Sequence, residues 1–233
     1  FAFQIYGDFS GYSDIAIGLS KLFGFDLMTN FKFPYFARNI SEFWGRWHIS
    51  LSGWFREYLY IPLGGGRGGM NLKIRNVFIV FLVSGFWHGA NWTFIAWGLV
   101  HGLLYIPYVF LEGKEFSWNK SGIFDLPLIL INFFLVCLAW VFFRSIDITN
   151  SIAYIMRMFS FEDGGQSLLA SMSYGYMVIF FVFIFGEWLI YKRYKLFDVY
   201  NFSRPVRWAG YYILVFACLF LIRGKTDFIY FQF

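Results

Sequence analysis

Val77–Leu111 reads VFIVFLVSGFWHGANWTFIAWGLVHGLLYIPYVFL, 35 residues without one Asp, Glu, Lys or Arg. As a single helix it would be about 52 Å long at 1.5 Å per residue, well beyond the roughly 30 Å hydrocarbon core of a bilayer. Its middle holds Gly85-Phe86-Trp87-His88-Gly89-Ala90-Asn91-Trp92. An ionisable imidazole at that depth is costly, which makes His88 a functional candidate. The polar break divides the run into two apolar arms, Val77–Trp87 and Trp92–Leu111. Such a break is tolerated at membrane depth only where it is buried in protein or lines a wet cavity. Two topologies stay open: one bent, tilted segment, or two segments that turn at the motif.

Composition agrees with a lipid environment. The chain is 59% hydrophobic and 14% charged, against about 25% charged for soluble domains. The net charge is +5, but the basic residues lie in the gaps between apolar runs, where membrane-flanking Lys and Arg belong. Nucleic acid is therefore not an expected partner; membrane lipid is. Cys137 and Cys218 each sit inside an apolar run and read as buried free thiols. The three histidines are too far apart for a zinc motif, so no metal is expected. Phe1–Tyr6 is already apolar and helix-like, with no Met and no signal pattern. We therefore expect upstream helices, with 1–233 forming a single membrane domain.

Phe1–Phe25 reads as a helix carrying polar groups. Gly7 and Gly11 form a small-xxx-small step that allows close helix approach, and Ser10 and Asp14 share a face. Asp14 is either a bond to a neighbouring helix or a group that handles substrate. Asn39-Ile40-Ser41-Glu42 resembles a capping box. The following stretch, Ser41–Tyr60, is expected to form one amphipathic helix. Its apolar side carries Trp44, Trp47, Leu51, Phe55 and Tyr58, with His48 next to Trp44 and Phe55. Its polar side carries Glu42, Arg46, Gly53, Arg56 and Glu57. A histidine in that position is either a core residue or a catalytic one.

Ile61–Asn71, with five glycines between 64 and 69, reads as a flexible turn; it lacks the Lys-Ser/Thr ending of a phosphate-binding loop. His101 is a second imidazole in the long run. Leu126–Phe143 and Ser167–Gly186 are charge-free spans, Ile148–Phe161 an interfacial amphipathic helix, and Trp208–Ile222 a shorter apolar segment. Thr226–Phe233 is an aromatic tail. Lys32–Arg75 holds seven basic against two acidic residues, and Glu187–Arg207 five against two. Both segments are expected on the cytoplasmic side.

These residues resemble the membrane-bound O-acyltransferase (MBOAT) family, and within it the alginate O-acetyltransferase type. The resemblance rests on FQIYGDFSGYSDIAIGLSKLFGF (3–25), NFKFPYFARNISEFWGRWHISLSGWFREYLYIPLGG (30–65), SGFWHGANWTFIAWGLVHG (84–102) and FIYFQF (228–233). D-alanyl transferases of teichoic acid modification share the two Trp-His motifs. The resemblance implies an all-α, polytopic transmembrane helical bundle with re-entrant or interfacial helices. The present chain corresponds to its C-terminal part.

It also implies a multi-pass enzyme of the bacterial inner membrane. The enzyme would move an acyl group, acetyl by type, from a cytoplasmic thioester to an extracytoplasmic polysaccharide or relay protein. Acetyl-CoA or an acyl-carrier thioester would be the donor, with no tightly bound cofactor. By the same resemblance His88 is the general base and His48 orients the thioester, assists proton transfer or polarises its carbonyl. Asn91 either donates to a developing oxyanion or caps the second arm. Trp87 and Trp92 form the cavity wall, and Trp47, Arg46 and Asp14 support the site. His101 packs helices. The rival readings are D-alanyl transfer, a transporter whose buried polar groups conduct protons, and an inert anchoring subunit.

Overall fold

The computed structural model describes residues 1–111, 125–160, 174–192 and 202–221, and all regular structure in them is helical. The chain divides into two compact units, 1–164 together with Phe233, and 165–232. The first contains α1 (Ala2–Leu22), a 3-10 turn (Pro34–Phe36), α2 (Ile40–Trp44) and α3 (Ile49–Phe55). A π-helical turn (Arg56–Tyr60), α4 (Met70–His88), α5 (Trp92–Leu111), α6 (Leu126–Arg144) and α7 (Ile148–Ser160) follow. The second contains α8 (Tyr174–Lys192) and α9 (Arg204–Leu221). Among the described residues α4, α5 and α6 are long and apolar enough to cross a membrane. The apolar part of α8, Met177–Tyr191, is shorter. The tail Thr226–Phe233 and most of the loop before α6 lie outside the described residues.

The long apolar run is two helices. α4 ends at His88 and α5 begins at Trp92, so the chain reverses at Gly89-Ala90-Asn91. The arms pack antiparallel through small residues. A Cβ added at Gly85 would collide with the Phe94 carbonyl, one at Gly98 with the Phe81 carbonyl, and one at Gly102 with the Phe78 ring. Lipid is as apolar as a side chain, so helices in it associate through close backbone approach and hydrogen bonds. The small-xxx-small step of α1 does not work this way. A Cβ at Gly7 or Gly11 meets nothing within 4 Å.

The expected single helix over Ser41–Tyr60 is broken. α2 stops at Trp44, α3 starts at Ile49, and His48 between them adopts a left-handed conformation with φ 44° and ψ 56°. The cause is tertiary. The Lys32 N–H donates to the Arg46 carbonyl (3.0 Å) and the Ile49 N–H to the Asn30 carbonyl (3.1 Å). The Asn30 side chain then accepts from the Ser50 N–H (3.1 Å) and hydroxyl (2.6 Å), capping α3 from a distance. Periodicity also misassigned the faces. Glu42 and Arg46 are 4% and 5% exposed, while Tyr58 is 66% exposed.

Long-range bonds tie this stretch to α1, α5 and α6. The Tyr35 hydroxyl donates to the Ala2 carbonyl of α1 (2.6 Å), and Asn132 of α6 donates to the Ala37 carbonyl (3.1 Å). The Ser41 and Tyr105 hydroxyls share a bond of 3.4 Å. The glycine-rich loop is not a free turn. Buried Asn76 donates to the Leu63 and Gly65 carbonyls (3.2 and 2.9 Å) and accepts from Arg75. Gly64, Gly65 and Gly69 supply the positive φ that the path requires.

The hairpin geometry predicts that Gly85→Ala and Gly98→Ala each destabilise the protein by about 1–3 kcal/mol through overpacking. Gly11→Ala should stay within about 0.5 kcal/mol of wild type. Thermal unfolding in detergent measures the difference, and equal melting of all three variants would contradict the packing.

Candidate functional site around the two Trp-His motifs

His88 is the last residue of α4, so its ring projects at the turn end of the hairpin. The Trp97 ring of α5 meets it edge-on at 5.1 Å, and the Phe143 ring of α6 at 5.1 Å. Edge-to-face contacts of this kind place the positive rim of one ring on the negative face of another. Trp97, 1% exposed, is the hub: it also touches His101 (4.8 Å), Trp44 (5.8 Å) and Phe143 (5.3 Å). The turn after His88 must pass directly over the Phe94 ring, and a Cβ at Gly89 would strike that ring.

His48 arrives on the α2–α3 turn. Its ring packs edge-on against Phe9 of α1 at 4.7 Å. The His48 Nδ1 is buried and has no hydrogen-bond partner among the described residues. Burial lowers the His48 pKa from 6.5 to about 4, because an apolar setting disfavours the imidazolium. At neutral pH the ring is therefore uncharged and retains a lone pair for proton transfer.

A buried ionic cluster fixes that turn. Glu42 accepts from the Arg38 backbone N–H (2.7 Å) and Nε (3.1 Å) through one oxygen, and from Arg46 through the other. Arg38 also faces Asp125 at 3.6 Å, and Arg46 donates to the Phe33 carbonyl (3.3 Å). Asn39 caps α2 by accepting the Glu42 N–H (2.8 Å). The Glu42 side chain does not complete the reciprocal half of a capping box; it serves the arginines instead.

The remaining candidates separate. Asn91 accepts the Thr93 N–H (3.1 Å) and donates to the Ile146 carbonyl (3.1 Å). It thus caps α5 and ties the hairpin turn to the α6–α7 corner. Trp47 is buried between Phe31 (5.0 Å) and Trp140 (5.1 Å), behind the His48 turn. Arg46 belongs to the ionic cluster. Trp87 and Trp92 stand 55% and 75% exposed at the hairpin tip, so neither walls an enclosed cavity within the described residues. Asp14 is exposed on α1. His101 is fully buried among Phe43, Trp44, Phe81 and Trp97. The elements that sequence reasoning missed are Trp97, Phe143 and the Arg38–Glu42 pair. The i, i+4 spacing of Arg38, Glu42 and Arg46 was the available signal for the last.

Comparison with known proteins places this site in a wider group. The profile of the membrane-bound O-acyltransferase family matches residues 1–146, which contain His48, His88 and His101. A probable alginate O-acetylase of Pseudomonas syringae pv. tomato is 48% identical over 160 residues, covering 69% of this chain and 30% of that protein. A peptidoglycan O-acetyltransferase of Helicobacter pylori is 46% identical, covering 68% and 30%. A teichoic acid D-alanyltransferase of Bacillus subtilis is 33% identical, covering 61% and 39%. The chain thus spans well under half the length of the curated relatives it matches.

Removing the shared partner of two buried guanidiniums is the harshest test of the turn. Glu42→Gln is expected to destabilise the protein by about 3 kcal/mol or more, whereas exposed Glu57→Gln should change it by less than about 0.5 kcal/mol. Melting curves followed by size-exclusion profile check this; a wild-type melt for Glu42→Gln would show that the cluster does not hold the fold.

Proposed function

We propose, because this chain belongs to the membrane-bound O-acyltransferase family, that it carries the histidine pair of an O-acyltransferase. In this reading 1–233 is one membrane domain of a multi-pass protein in a bacterial inner membrane. The acyl group is acetyl, taken from acetyl-CoA or an acyl-carrier thioester on the cytoplasmic side, with no tightly bound cofactor. It is passed to an exported polysaccharide or an extracytoplasmic relay protein. The higher identity to the two O-acetylating relatives than to the D-alanyl transferase favours acetyl over D-alanyl.

One observation carries the proposal: two partly accessible imidazoles arrive from separate elements, His48 on the α2–α3 turn and His88 at the end of α4, and a run of packed rings joins them, Trp47 on Trp140 (5.1 Å), Trp140 on Phe143 (5.2 Å) and Phe143 on His88 (5.1 Å). Arg67, Lys73 and Arg75 flank the start of α4, and His88 stands about 27 Å further along it. By the charge rule that start is cytoplasmic, so His88 lies towards the acceptor side.

His88 takes the acceptor hydroxyl proton as the oxygen attacks the thioester carbonyl. The new C–O bond forms, the C–S bond breaks, and the proton is returned to the departing thiolate. His48, uncharged at neutral pH, orients the thioester or passes that proton. Neutral imidazole suits both steps. Asn91 is held at the same turn, and an oxyanion role for it requires its bond to Ile146 to open.

In the full-length protein His88→Ala should lower acetyl ester on exported polysaccharide by about 10²–10⁴-fold, the usual contribution of a positioned general base. His48→Asn should melt like wild type, since Asn tolerates the left-handed conformation, yet lose activity. Unchanged acetylation in His88→Ala would refute the catalytic assignment. Failure to consume any acyl thioester would favour a transporter or anchor instead. The protonation of His48 has its own signature. Its folded pKa is depressed, so the ring stays neutral as pH falls through 6.5. The acid limb due to it should appear near pH 4, read from a pH–rate profile.

A further inference from the structure

We propose that the cleft between the C-terminus of α6 and the polar face of α7 is a binding site for an anionic phospholipid. The open cleft has a volume of about 460 Å³ and is lined by Arg144, Ser145, Ile146, Asn150, Ala153, Tyr154 and Arg157. Among the described residues neither arginine has a carboxylate within ion-pair distance. Arg144 lies over the Phe1 ring at 5.9 Å. An arginine in the last turn of a helix is favoured by the helix dipole in any case. Arg157 likewise stands in the last turn of α7, and both arginines line one cleft. The nearby Asp147 carboxylate is committed to the Asn150 N–H (2.7 Å) and side-chain amide (2.8 Å). That carboxylate keeps its charge, and two arginines against it leave the region net positive.

The surroundings decide which anion fits. α7 is strongly amphipathic: Ile148, Ile152, Ile155 and Phe159 share one face, and Asn150, Tyr154 and Arg157 the other. Its apolar residues find little protein to cover them; Ile152, Met156 and Phe159 are 48%, 68% and 55% exposed. Ile146, in the cleft wall itself, is 83% exposed. A soluble glycan carboxylate could satisfy the arginines but has nothing to place on these side chains. A phospholipid supplies both parts: a phosphate for the bidentate guanidiniums and acyl chains for Ile146 and the outer face of α7. The cleft follows directly on a spanning helix, at the depth where headgroups lie. It also joins the hairpin turn, because the Ile146 carbonyl is the acceptor of the Asn91 amide. This site does not depend on the acyl-transfer reading, only on the membrane.

Native mass spectrometry of the full-length protein, titrated with phosphatidylglycerol and with phosphatidylcholine, tests the proposal. Phosphatidylglycerol should bind about tenfold more tightly than phosphatidylcholine, and Arg144→Gln or Arg157→Gln should each weaken it by about tenfold, the usual range for a hydrogen bond to a charged group. Arg157→Lys should retain part of the affinity. Arg157 is exposed and its side chain makes no hydrogen bond or ion pair among the described residues, so Arg157→Gln should fold even if Arg144→Gln does not. Melting without added lipid monitors that. Equal binding of the two lipids, or wild-type affinity in Arg157→Gln, overturns the proposal. So does displacement of phosphatidylglycerol by inorganic phosphate or by an oligouronate at equal concentration, which would mark a site for a soluble anion.

Discussion

A carboxylate buried between two guanidiniums is the constraint on which the turn that carries His48 depends. Taking ions out of water costs several kcal/mol each, and only close geometry offsets it. Glu42 meets that condition by using both oxygens, one on the Arg38 backbone and side chain, the other on Arg46. A well-packed apolar trio could be as stable, but it would not have direction. The ionic cluster fixes 38–46 in one arrangement, and the bonds from Asn30 and Lys32 then determine how the chain leaves it. His48 is left in a conformation that costs a non-glycine residue about 1–3 kcal/mol and persists only when its surroundings over-determine it. Strain in a residue proposed to carry the chemistry is easier to understand as positioning than as accident.

The other imidazole is held by different physics. Between spans, lipid provides no hydrophobic drive, so α4 and α5 meet where Gly85 and Gly98 allow backbone against backbone. That closeness brings Trp97 under His88 and lets one indole touch two imidazoles and the rings of Trp44, Trp140 and Phe143. His88 thus sits on a regular helix end set by packing, while His48 sits on an irregular turn set by polar bonds. α2 is held on the hairpin by Trp44, which reaches Trp97 and Phe81, and by Phe43, which stacks on His101.

How much of this was legible follows from the range of the forces. The arms of the hairpin, α6 and α7 were readable because charge-free length and helical period are local properties. Val77–Leu111 announced its own break through His88-Gly89-Ala90-Asn91. The break at Gly45–His48 was not readable. The period of 41–60 is helical, and the bonds that defeat it come from Asn30 and Lys32, well before it in the chain. For the same reason Arg46 and Glu42 looked solvated. Charge at helical spacing ordinarily marks a wet face, and only the fold shows that the face is covered. Gly7 and Gly11 meet no neighbour among the described residues: a motif that permits close approach does not name its partner.

The three histidines differ less in identity than in access. A general base must come within hydrogen-bond reach of the proton it removes. His101 has no exposed surface and is enclosed by four aromatic rings, with neither ring nitrogen bonded among the described residues. A substrate cannot meet it without dismantling Phe43, Trp44 and Trp97, and an uncharged imidazole tolerates that enclosure far better than an imidazolium. Its place in the molecule is therefore that of a planar packing element that happens to contain nitrogen. His48 and His88 remain partly accessible, one on each side of the junction between turn and hairpin. Access of this kind separates the proposed catalytic pair from the third imidazole on physical grounds, without appeal to which motif each occupies.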